Sequence, residues 1–70
     1  MAEMITCRVN GCEESLAAGT SVAALLAQRK VNAEAVVVEV NLNIVDRPAY
    51  ASTVLGAGDT VEILRFVGGG

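Results

Sequence analysis

Ile5-Thr6-Cys7-Arg8-Val9-Asn10-Gly11-Cys12-Glu13-Glu14-Ser15-Leu16 is the stretch whose reading decides the fold. Its first five residues alternate apolar and polar, the period of a half-buried strand. Asn10-Gly11 follows, the strongest short hairpin signal, because both central positions of a type I′ turn need positive φ. Cys12 to Leu16 then reads as the returning strand. Ile5, Cys7 and Val9 are expected to face a core, with Thr6 and Arg8 facing the other way.

After the hairpin, Ala17-Ala18-Gly19 breaks the strand. Thr20 or Ser21 can cap a helix through a side-chain oxygen. Val22, Leu25 and Leu26 fall at i, i+3 and i+4, one helical stripe, and Ala23, Ala24 and Ala27 favour the helix intrinsically. Arg29 and Lys30 stand where the negative end of the helix dipole favours cations. So short a helix must pack on a sheet to be stable.

Residues 32–35 read as a connection. Val36-Val37-Val38-Glu39-Val40 is β-branched and strand-like, with Val36, Val38 and Val40 placed inward. Asn41-Leu42-Asn43 reads as a turn and Ile44-Val45 as a very short strand. Asp46-Arg47-Pro48 begins an irregular crossover, in which Tyr50, Val54 and Leu55 are available to cover the sheet edge. Gly56-Ala57-Gly58-Asp59 is a turn by composition. Thr60 to Phe66 is the final strand, with Val61 and Ile63 inward and Glu62, Leu64 and Phe66 on the opposite face. A hairpin, a helix and a later strand returning beside the first make an α+β, β-grasp (ubiquitin-like) arrangement. It has a mixed sheet of about four to five strands and one helix on one face. Residues 1–67 are expected to form that domain, and residues 68–70 a flexible glycine tail.

Seventy residues fit one domain. A chain of this size buries only ~60% of its unfolded surface, so few core positions can be given to polar machinery. The net charge of −3 argues against nucleic acid and suits a basic partner surface. No run approaches the ~18 apolar residues that span a bilayer. Met1-Ala2-Glu3-Met4 lacks the basic and apolar regions of a secretory signal, so the cytoplasm is the expected compartment. With no such signal, Cys7 and Cys12 are expected as reduced thiols. With four residues between them and without further ligands, they do not make a zinc site.

Catalytic constellations are missing. The chain has no histidine, no glycine-rich phosphate loop between a strand and a helix, and no nucleophile–base set. Glu13-Glu14 reads as a solvated strand edge, Cys7 as a buried structural thiol, and Cys12 as an exposed one. Arg47 reads as a surface ion-pair residue and Asn41 as a turn former. An enzyme with its own active site is not expected.

The tail is different. Phe66-Val67-Gly68-Gly69-Gly70 runs from an apolar strand straight into three glycines. Without Cβ, such an end can thread a channel too narrow for other residues. It brings with it a carboxylate that becomes a good acyl electrophile once joined to AMP. Gly70 is the candidate for that activation, and Gly68 and Gly69 for threading a partner's active site. Leu64, Phe66 and Val67 are the candidate partner-binding residues beside the tail's exit. A frayed terminus is the competing reading.

Two blocks carry a resemblance to a known family: Val36-Val37-Val38-Glu39-Val40-Asn41 with Ile44-Val45-Asp46-Arg47, and Gly58-Asp59-Thr60-Val61-Glu62-Ile63 through Gly70. From about Ile5 onward the chain resembles the ThiS-type sulfur carriers of thiamine biosynthesis. It departs from their usual pattern at Leu42, often glycine or small and polar, at Asp46, often proline, and at Tyr50, often tryptophan. The resemblance implies that a ubiquitin-activating-like, ThiF-type adenylyltransferase adenylates the Gly70 carboxylate with ATP. Sulfur from a cysteine desulfurase pathway then gives a thiocarboxylate, and a ThiG-type thiazole synthase takes the sulfur. It implies no intrinsic cofactor, no metal, no membrane and no nucleic-acid partner, and a monomer when free. The small subunit of molybdopterin synthase, a carrier for cysteine synthesis or tRNA thiolation, a ubiquitin-like conjugating protein and a non-covalent β-grasp interaction module are the alternatives at this point.

Overall fold

The computed structural model describes residues 3–66. Strand β1 (Met4–Val9) and strand β2 (Cys12–Ala17) form the expected hairpin. Its register runs from Met4 opposite Ala17 to Val9 opposite Cys12. Asn10 and Gly11 take φ of 49° and 83°, the left-handed pair that a two-residue turn requires.

Helix α1 (Val22–Gln28) is seven residues long and is capped by Ser21, whose Oγ accepts from the Ala24 N–H at 3.1 Å. Thr20 instead donates its hydroxyl to the Ala17 carbonyl at 2.6 Å, tying the end of β2 to the helix start. Arg29 forms the C-cap but extends to Glu14 on β2, at 2.6 and 2.8 Å from its two oxygens. Glu14 is therefore the helix's ion partner and only Glu13 keeps a solvated place, its carboxylate 3.8 Å from Arg8. The alternation explains the split. Glu14 lies opposite Cys7, on the helix side of the sheet, whereas Glu13 lies opposite Arg8 on the other side.

A 3₁₀ turn over Ala33–Ala35, capped by the Asn32 side chain, leads into strand β3 (Val36–Val40). The turn to strand β4 (Asn43–Val45) is tighter than the expected three residues, since Asn41 and Leu42 alone form it, at φ of 53° and 72°, and Asn43 already pairs with Val40. A second 3₁₀ turn (Arg47–Ala49) begins the crossover. Tyr50 and Leu55 go beyond covering an edge, for both are buried in the core. Val54 does not follow them. It pairs with Ser21 in a single antiparallel bridge, and its side chain is 58% exposed.

Strand β5 (Thr60–Arg65) returns parallel to β1 and antiparallel to β3, giving one five-stranded sheet in the order β2-β1-β5-β3-β4. The core lies between the helix and one face of this sheet. It consists chiefly of Cys7, Val9, Leu16, Val22, Leu25, Leu26, Val36, Val38, Tyr50, Leu55 and Val61, with Ile5, Val40 and Ile63 packed against it. Among the described residues the other face carries no helix.

Candidate functional site

Position within the sheet is what turns the end of β5 into a platform. β5 is the central strand, paired with β3 from Val40–Val61 to Val36–Arg65. The pairing continues one step further, where the Phe66 N–H donates to the Ala35 carbonyl at 3.1 Å. The regular strand thus stops at Arg65, one residue short of the expectation, because Phe66 makes only this last bond. Chain leaving Phe66 departs from a point held on the β3 side.

The start of β5 is anchored as firmly. Asn41 does more than form a turn. Its Oδ1 accepts from the Thr60 N–H at 3.0 Å, its Nδ2 donates to Asp59 at 3.0 Å, and its backbone N–H donates to the Thr60 carbonyl at 2.7 Å. The second Asp59 oxygen accepts from the Gly56 N–H at 2.7 Å, closing the preceding turn. On the β1 side, Asn10 Oδ1 accepts from the Ile63 N–H at 2.8 Å, adding a side-chain rung where the parallel pairing runs out. Periodicity could not reveal these bonds. The one available signal was an amide at each positive-φ turn, and amides at such turns are common for local reasons.

Leu64 and Phe66 both face outward, 47% and 62% exposed. Val37 lies directly opposite Leu64, and Ile44, 67% exposed, sits on the same open face opposite Glu39. These side chains make an apolar patch at the root of the tail. Val67, Gly68, Gly69 and Gly70 lie outside the described residues. Arg47 is exposed, and its Nη2 is 3.4 Å from the Glu34 carbonyl. Among the described residues it makes no ion pair, so the expectation of one is replaced by this backbone contact beside the tail root.

The two thiols divide as expected, Cys7 buried and Cys12 exposed. Cys7 Sγ donates to the Gly56 carbonyl at 3.2 Å. Burial, and secondarily the Asp59 carboxylate, pushes its pKa up, so it stays a protonated packing group. Among the described residues no cluster of three or more metal-ligating side chains occurs, and no helix is long and apolar enough to cross a membrane.

One helix on one face of a mixed five-stranded sheet, with the last strand central, defines a small ubiquitin-like β-grasp domain. The family model for the ThiS family matches residues 1–70. The chain belongs to the ThiS family of sulfur carriers. The crystal structure of a thiamine biosynthesis protein (ThiS) from Geobacter metallireducens is similar at a TM-score of 0.82 and 39% identity, covering 94% of this chain and 100% of that one. A solution NMR structure from the same organism gives a TM-score of 0.77. Among curated proteins, a thiazole synthase of Paramagnetospirillum magneticum is 42% identical over 62 residues, and one of Magnetococcus marinus 37%. The chain covers 89% of its own length in these matches but spans only 19% of the length of either relative.

Proposed function

We propose that this chain carries sulfur on its glycine end for thiazole formation in thiamine biosynthesis. The observation that carries the reading is that the family match runs through residue 70 and so includes Gly68, Gly69 and Gly70. In this reading an oxygen of the Gly70 carboxylate attacks the α-phosphorus of ATP bound by a ThiF-type adenylyltransferase, and pyrophosphate leaves. A persulfide sulfur supplied by a cysteine desulfurase pathway then attacks the acyl carbon and AMP leaves, giving an acyl disulfide. A thiol attacking the other sulfur expels the thiocarboxylate and leaves a disulfide. ATP belongs to the partner, and the carrier needs no cofactor of its own. The domain contributes a fixed tail root at Phe66, an apolar grip at Leu64 and Phe66, and a reach of about 3.3–3.6 Å per extended residue from Val67 onward.

A thiazole synthase is the proposed acceptor of the sulfur. In two proteins that bear that name, a segment of about a fifth of the length is similar to this chain, which supports the reading. The segment does not make this chain a thiazole synthase.

The test is intact mass after incubation with ATP, a sulfur source and a ThiF-type enzyme. One oxygen-to-sulfur exchange is expected, and its absence in a chain lengthened by one residue beyond Gly70. Sulfur transfer by the lengthened chain without processing would sink the reading.

A further inference from the structure

Two carboxylates sit where sheet energetics disfavour them. Glu39 on β3 and Glu62 on β5 are directly opposite each other, and both project from the face that lacks a helix. Like charges directly opposite in an antiparallel pair destabilise it. Charges on edge strands protect against edge-to-edge pairing, but β3 and β5 are both interior in the sheet order. Among the described residues neither carboxylate has an ion pair or a side-chain hydrogen bond. Arg8 shares the open face, but its guanidinium is turned to Glu13 and to the Gly11 carbonyl. The carboxylates are framed by apolar side chains, with Ile44 beside Glu39 and the Val37–Leu64 pair one step along the strands toward Phe66.

We infer that Glu39 and Glu62 form, with Ile44, Leu64 and Phe66, a docking face for a surface that presents an arginine or lysine between apolar side chains. The occupant is the adenylating partner, so this inference rests on the function proposed above. Charge complementarity is the argument. A cation seated between the two carboxylates relieves a repulsion that the free domain carries, and the acidic face attracts a basic surface before contact. The pair therefore lowers the stability of the free domain and speeds its capture.

The test compares the wild-type chain with Glu39→Gln/Glu62→Gln and with Glu62→Gln alone. Association with a ThiF-type adenylyltransferase is followed by stopped flow at low and high salt, with melting curves and sedimentation for each chain. The double variant is expected to associate roughly tenfold more slowly at low salt, to lose most of the wild type's salt dependence, and to melt no lower than wild type. The single variant should fall between. Association and salt dependence equal to wild type would overturn the inference while leaving sulfur transfer intact. Self-association of the double variant with unchanged partner binding would also overturn it, since the carboxylates would then guard the face against a second copy. A wild-type chain that the enzyme neither binds nor adenylates would overturn both this inference and the proposed function.

Discussion

Leu42 has a φ of 72° and a side chain 84% exposed to solvent. A branched apolar residue in the left-handed region costs roughly 1–2 kcal/mol, and here no burial offsets it. The second position of a type I′ turn favours glycine. Leu42→Gly is therefore expected to stabilise the domain by about 1 kcal/mol, read as a higher urea midpoint with an unchanged slope. Cys7 gives the second prediction at this scale. Its folded pKa lies above the ordinary thiol value of 9.0. As pH climbs past that value the unfolded chain loses the thiol proton while the folded chain keeps it, so stability is whole at lower pH and falls as the medium becomes alkaline. The melting temperature should drop between about pH 8 and 10, and Cys7→Ala should flatten that slope. Alkylation should label Cys12 in the native protein and reach Cys7, 1% exposed, only on unfolding.

At the scale of elements, each hairpin is held by a two-residue turn whose amide side chain reaches across to β5. Helix α1 has no comparable autonomy. Two turns of helix are marginal in water, and its stability comes from Val22, Leu25 and Leu26, all buried against the sheet. Leu25→Ala is expected to cost about 2–5 kcal/mol, enough to unfold much of the population of so small a domain. Equilibrium urea unfolding checks it, and a loss under about 1 kcal/mol would mean that the helix packs by another face. The Arg29–Glu14 pair is a lesser contributor. Its side chains keep 33% and 29% of their surface, and such partly exposed pairs contribute up to about 1 kcal/mol.

Across the whole molecule, the helix covers one face of the sheet and leaves the other open. In the proposed function, stability and docking are thereby separated in space. Phe66 is 62% exposed and contributes little to the core. Phe66→Ala should change folding stability by less than about 0.5 kcal/mol. It should weaken binding to the adenylating enzyme by about fivefold or more, measured by titration calorimetry. A large fall in melting temperature with unaltered binding would place Phe66 in the fold's support instead.

The amino-acid sequence by itself determined the element order and the inward residues. Those rest on local rules: strand alternation at Ile5–Cys7–Val9, the helical spacing of Val22, Leu25 and Leu26, and left-handed turns at Asn10-Gly11. The ThiS-like blocks were legible for the same reason, being contiguous. Only the tertiary structure decided which carboxylates are paired and which stand free, why Val54 stays in solvent while Tyr50 and Leu55 are buried, and that Asn10 and Asn41 brace β5. Only it set Glu39 opposite Glu62. The last of these depends on register between strands apart in sequence, where a shift of one residue would turn every side chain to the other face, and the others on contacts between distant segments.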